Sequence, residues 1–244
     1  MKWEDLKVYR PLSKQELKPA YRDFTQIVAA NLKPFGFHLV GRKLIMLSND
    51  LFHIVHLDTR GSWSGITEYF KTDISLVAVC DKSPFIRKVE YGGGKKIEDL
   101  VLGIRDHYRI TKEYPLLANF LTEKIIENVL PYFDKYDTSI KVLANRQHFQ
   151  FDSYRNEYEN LILFCELQNG VNIKAAEIID DILLFCNRLN MGPTGSNEYM
   201  DELSIYKEGL QTENWQLIHE KLASNKEEVS KKLKKVISSQ RHIQ

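Results

Sequence analysis

The densest chemistry in the chain lies in a few short constellations. His53-x-x-His56 has the look of a metal pair. On a helix that spacing would set both imidazoles on one face, but the surrounding Leu51-Phe-His-Ile-Val-His-Leu57 alternates like a strand. There an odd spacing sends the two rings to opposite sides. His56 and Asp58 do share a face, so a histidine–carboxylate pair is allowed. Asp106-His107-Tyr108-Arg109 packs an acid, an imidazole, a phenol and a guanidinium together. As an extended segment it groups His107 with Arg109, an arrangement that suits an anion. Trp63 stands in a Gly/Ser-rich loop near Arg60, and loop tryptophan and arginine are common anchors of protein interfaces.

Other candidates fail on spacing. Gly61-Ser-Trp-Ser-Gly65 centres a tryptophan, so neither Ser62 nor Ser64 sits in the Gly-x-Ser-x-Gly elbow of a hydrolase. Gly92-Gly-Gly-Lys95-Lys96 has Val89 and Lys96 where a phosphate loop needs glycine and a hydroxyl. Glu177, Asp180 and Asp181 lack the Glu-x-x-His partner that a metal-binding bundle supplies, and read as a polar helix face. Three widely spaced cysteines, Cys80, Cys165 and Cys186, each in an apolar stretch, read as buried thiols rather than a disulfide framework or a zinc ribbon. No catalytic, metal or cofactor residue is therefore assigned. The binding candidates are His56, Asp58, Arg60, Trp63, His107 and Arg109, and the balance leans away from an enzyme.

The elements that would position these residues follow from periodicity. Ser13 and Glu16 form a capping-box pattern, while Pro19 suits a first helical turn. A proline inside a helix is costly, so the expectation is a short turn at 13–17 and a helix over 19–33, stopped by Pro34 and Gly36. Strands follow at 37–40, 43–47 and 51–59, separated by Gly41-Arg42 and Asn49-Asp50. A fourth, 70–80, is apolar on both faces in its second half, which suits a central strand. Short connections imply an antiparallel meander. Val101–Ile104 and Tyr108–Ile110 are further short strands. Leu117, Leu121, Ile125 and Val129 line a helix ending at Pro131. Helices at 154–165 and 178–189 form a hairpin around Gly170 and Asn172, and more follow near 197–209, 212–223 and 226–238. The expected fold is α+β: residues 1–145 hold an antiparallel sheet of four to six strands flanked by helices, and 150–244 an all-helical C-terminal region packed on it.

The 244 residues are 43% apolar and 27% charged, with a net charge of +1. That is the composition of a globular protein and excludes a strongly basic nucleic-acid binder. No signal-peptide core stands at the N-terminus, and no apolar run approaches the ~18 residues of a membrane span, so a cytoplasmic protein is expected. The lysines at 226–235, interleaved with Val229, Leu233, Val236 and Ile237, make an amphipathic helix whose apolar stripe packs on the body; nucleic acid is an unlikely partner.

Residues 19–145 resemble the domain of unknown function 4304 family. The resemblance rests on Leu32-Lys33-Pro34-Phe35-Gly36-Phe37, Gly41-Arg42-Lys43, the strand Leu51–Leu57 and Val129-Leu130-Pro131-Tyr132-Phe133. It implies a helix, a proline–glycine–aromatic corner, a small antiparallel sheet and a helix with a proline–aromatic pair. Leu44 stands where the family has an aromatic, and Asp58-Thr-Arg-Gly-Ser62 replaces a Gln-rich segment. No catalytic residue is implied; some such domains look like immunity proteins against bacterial toxins. The expected function is thus non-catalytic recognition, most simply of another protein. The alternative is an enzyme binding a small molecule or anion in a pocket between sheet and helices, lined by His56, Asp58, His107 and Arg109.

Overall fold

The computed structural model describes residues 1–60, 69–87, 95–105, 108–149, 159–188 and 196–240. It is an α+β protein. The first helix, α1 (Lys14–Leu32), starts at Ser13, whose backbone N–H donates to Glu16 Oε2 at 2.8 Å. The capping box expected at 13–16 forms, but no separate turn does: Pro19 lies inside one continuous helix. The proline forfeits one bond, to the carbonyl of the exposed Gln15, which water can satisfy near the helix start. Burial of Leu17, Ala20, Phe24 and Val28 holds the helix on the core.

The corner after α1 behaves as its sequence suggests. Lys33–Phe35 tightens into a 3-10 turn, Gly36 takes φ +87° and Phe37 is buried. A six-stranded antiparallel sheet follows: β1 (His38–Val40), β2 (Lys43–Ser48), β3 (Leu51–Arg60), β4 (Tyr69–Ala78), β5 (Lys95–Lys96) and β6 (Tyr108–Arg109). The order is β1-β2-β3-β4-β5, with β6 also on β4. β4 is central, as its two apolar faces require. Val101–Ile104 is not a strand, because Leu100 and Val101 turn back onto Ile97; the apolar pair Val101 and Ile104 is buried through that turn instead.

After the sheet come α2 (Tyr114–Lys124), a wide π-turn at Ile125–Val129, and α3 (Leu130–Lys135). Pro131 was expected to end this helix, yet it sits in the first turn of α3. The π-turn resets the hydrogen-bond ladder just before the proline, where a missing N–H costs little. Then come α4 (Ser139–Ala144), α5 (Glu159–Gln168), α6 (Ala175–Arg188), α7 (Ser196–Gln211), α8 (Trp215–Lys232) and α9 (Lys234–Gln240). The break between the last two falls at Leu233, later than the expected 223–226: Asn225 stays inside α8, where its amide is needed in the core.

One face of the sheet, with Leu51, Val55, Leu57, Ile74 and Leu76, joins α1, α2, α5 and the later helices in a single large core. The other face, with Ile45, Phe52, Ile54, Val77 and Val79, forms a second, separate core with Val229, Leu233 and Val236 of α8 and α9. The lysine-rich helix therefore packs its apolar stripe on the outer side of the sheet.

Polar joints fix the helical region to the sheet. Asp50, at the β2–β3 turn, accepts from Ser139 N at 3.0 Å, from the Ser139 hydroxyl and from Gln168 Nε2 at 2.9 Å. Gln168 Oε1 in turn accepts from the Cys80 thiol at 3.3 Å. Lys82 Nζ lies 3.1 Å from Glu228 Oε1 and 3.9 Å from Glu202 Oε2, joining the end of β4 to α7 and α8. Glu202 Oε1 also accepts from Tyr206 and from Asn225, at 3.0 and 2.8 Å. Glu166, with no exposed surface, accepts the backbone N–H groups of Ile173, Lys174 and Ala175 on one oxygen at 2.9, 2.7 and 2.8 Å. That carboxylate meets the positive end of α6 and closes the α5–α6 hairpin. Glu166→Gln, which keeps the shape and loses the charge, is expected to lower stability by about 2 kcal/mol, and Glu166→Ala by about 3 kcal/mol, since charged hydrogen-bond acceptors are worth that much and leave buried donors behind. Denaturant midpoints read at unchanged slope check this.

Candidate binding face

Alternation along β3 puts His53 with the large core and His56 and Asp58 on the outer face. His53 is buried against Phe133, the rings stacked at 4.5 Å and 16°, and its Nε2 donates to the Tyr136 carbonyl at 3.2 Å. The two histidines do lie on opposite sides of the sheet. Among the described residues no group of three or more His, Cys, Asp or Glu side chains could hold a metal.

The outer face changes character along its strands. Its first rows, Leu47–Phe52–Val77 and Ile45–Ile54–Ser75, lie at the covered, apolar end. The next row runs across four strands as Lys43–His56–Asp73–Lys96. Beyond it Asp58 stands opposite Lys71. The last row pairs the backbones of Arg60, Tyr69 and Arg109. Four of the six candidates, His56, Asp58, Arg60 and Arg109, thus fall on the same face at the same end of the sheet. The side chain of Arg60 and the whole of Trp63 and His107 lie outside the described residues.

The pairings differ from the expected one. His56 and Asp58 do not bond to each other. His56 Nε2 shares a 3.0 Å hydrogen bond with the Ser75 hydroxyl, and Asp58 Oδ1 takes Arg42 Nη1 at 3.1 Å. Each finds a nearer partner off its own strand: Ser75 lies diagonally across from His56 on β4, and Arg42 stands in the turn beside the end of β3. Lys71 and Asp73 pair at 2.6 Å, Lys43 Nζ donates to the Pro84 carbonyl at 3.1 Å, and Lys96 lies 3.9 Å from Glu98. Arg42 also lies 5.9 Å over the Tyr21 ring. Arg42, Lys43, Ser75 and Asp73 were not among the binding candidates read from the sequence; what the sequence did signal was the turn Asn49-Asp50, which joins β2 to β3 and sets their register.

The electrostatics follow from burial. Desolvation depresses His56 to a pKa of about 4; Lys43 pushes the same way, and Asp73 and Asp58 oppose it. His53 is also lowered to about 4 by burial, against its bond to Tyr136. Both imidazoles are neutral at physiological pH. Burial raises the thiols of Cys80 and Cys165, so these are not poised nucleophiles. The exposed part of the face is instead a lattice of charges of both signs: Arg42, Lys43, Lys71, Lys96 and Arg109 against Asp58 and Asp73. It can make hydrogen bonds and ion pairs, and it is held in register by the sheet.

No family model, curated protein or solved structure matches the chain. No helix among the described residues is long and apolar enough to cross a membrane.

The two depressed histidines make stability depend on pH with a definite sign. Each has an ordinary value of 6.5 and a folded value of about 4. Between these values the unfolded chain binds the extra protons, so stability is full above pH 6.5 and falls as pH drops toward 4. The loss is on the order of 3 kcal/mol for the buried His53 and smaller for His56, which keeps some contact with solvent. His53→Phe, which keeps the stack on Phe133, is expected to flatten the profile of denaturation midpoint against pH over this window. An unchanged slope would refute the assignment.

Proposed function

We propose that the protein is a cytoplasmic, non-catalytic binding module, related to the domain of unknown function 4304 family, that recognises another protein through the polar end of its outer sheet face. The observation that carries this reading is the lattice around His56 and Asp58: charges of both signs set in register across four strands, with Asp58 paired to Arg42 and Asp73 to Lys71, and partly open to solvent. Such a surface resists self-association through its alternating charges and offers a partner fixed, directional contacts. A rigid strand scaffold keeps the entropic cost of binding low. Of the strongly perturbed groups, His53, Cys80, Cys165 and Tyr206 are buried away from this face, and His56, which lies on it, is held neutral by desolvation and occupied by the Ser75 hydroxyl, which supports recognition over chemistry there. His56 and Asp58 also point away from α1 and α2, so they do not line a pocket between the sheet and those helices.

The test is a photo-cross-linking residue placed at Asp58 and, as a control, at Glu177 on α6, in native cytoplasm. A specific protein adduct is expected at position 58 and not at 177. Arg42→Glu, which sets a carboxylate against Asp58 on the exposed rim, should diminish the capture measured with a second cross-linking position at Lys71. Equal adducts at 58 and 177, or none at either, would overturn the reading.

A further inference from the structure

The outer side of the molecule carries more than the sheet end. The turn Ser83–Arg87 joins that end to the C-terminal helices. Lys43 reaches the Pro84 carbonyl, the Phe85 ring packs 5.2 Å from Phe52, and Lys82, just before the turn, pairs with Glu228 of α8. Because Val229, Leu233 and Val236 face the sheet, Lys231, Lys232, Lys234 and Lys235 emerge on the solvent side of the same layer, all exposed. The nearby carboxylates are committed: Glu227 pairs with Lys231 at 2.7 Å and Glu228 with Lys82. At the sheet end, among the described residues, Arg42, Lys43, Lys71, Lys96 and Arg109 stand against Asp58, Asp73 and Glu98, while the whole chain carries only +1. Bases thus outnumber acids on the described part of the outer side.

We propose that the partner is an acidic protein surface, bound jointly by the polar end of the sheet and the lysine face of α8–α9; this rests on the binding reading above. The chemistry selects among polyanions. The apolar stripe of α8–α9 is spent on the sheet, so it cannot insert into a lipid layer. Asp58 and Asp73 sit within the basic field. A phosphate backbone, negative at every step, would be repelled there, whereas a protein with a majority of carboxylates and a few bases matches both signs. The lysines then steer approach over roughly a Debye length of about 10 Å at 0.1 M salt, and the sheet end supplies register.

The probe is a fluorescent glutamate–lysine copolymer, about three glutamates to each lysine, with duplex DNA and poly-glutamate of equal net charge as comparisons, titrated with the full chain by anisotropy at low and physiological salt. The copolymer is expected to bind more tightly than the DNA and the poly-glutamate, and to weaken as salt rises. Lys234→Glu/Lys235→Glu, on the exposed side of α9, and Lys96→Glu, on the sheet rim, should each weaken copolymer binding, the double variant by about tenfold, while far-UV circular dichroism stays unchanged. Binding that ignores both variants, or no binding at low salt, would overturn the acidic-partner inference. Tighter binding to DNA than to the copolymer would overturn it in favour of nucleic acid. A cross-linked partner at position 58 alongside either result leaves the binding reading standing; its absence removes both.

Discussion

The structure turns on one constraint: the central strands β3 and β4 are apolar on both faces over one half of their length and apolar on a single face over the other. Ile54, Phe52, Val77 and Val79 require a cover that α1 and α2, on the opposite side, cannot provide. The C-terminal helices supply it, and that need fixes where α8 and α9 lie. Past Ser75 the outer face turns polar and needs no cover. The boundary of the helical layer and the position of the candidate face are thus two consequences of the same alternation. Burying five to eight large side chains in the second core is worth roughly 1.5–3 kcal/mol each before entropy is counted, ample to hold a helix with seven charged residues among its eighteen.

A sheet covered from both sides by one chain needs joints where the chain passes from one layer to another, and these are polar. Asp50 takes Ser139 and Gln168 at the β2–β3 turn. Lys82 takes Glu228 where the outer helices cross the end of β4, and Glu166 closes the α5–α6 hairpin. Each has a direction that an apolar contact lacks. Apolar packing would tolerate α8 sliding along the sheet; a buried lysine between Glu202 and Glu228 tolerates much less. Gly209 adds a steric stop, because a methyl group there would stand 2.6 Å from Ile218 and push α7 off α8.

What could be read from the residues divides along the same line. Strand periodicity located β1 to β4, and alternation alone placed His53 and His56 on opposite faces. The stripe of Val229, Leu233 and Val236 announced a helix packed on the body. Where local rules gave the wrong boundary, a non-local term prevailed. Pro19 is tolerated because its lost partner is the exposed Gln15 carbonyl, and Pro131 because a π-turn precedes it. Asn225 stays helical because Glu202 and Tyr206 need its amide. The polar pairs of the candidate face were illegible for a related reason. Alternation shows that His56 and Asp58 share a side, but which neighbour each one bonds is set by register between strands, and Ser75 and Arg42 are 19 and 16 residues away in sequence.

Perturbed protonation, the usual pointer to chemistry, here points inward. Where burial shifts a group strongly, that group is doing mechanical work. His53 clamps β3 to the helix behind it through Phe133 and Tyr136, Cys80 meets the Asp50 joint through Gln168, and Tyr206 hydrogen-bonds within the Glu202 cluster. Even His56, on the outer face, is desolvated and occupied with Ser75. A surface assembled from such groups offers a partner geometry and charge, not a proton acceptor of matched affinity. The proposed recognition through a charged, register-locked face rests on this distribution of strained and relaxed groups.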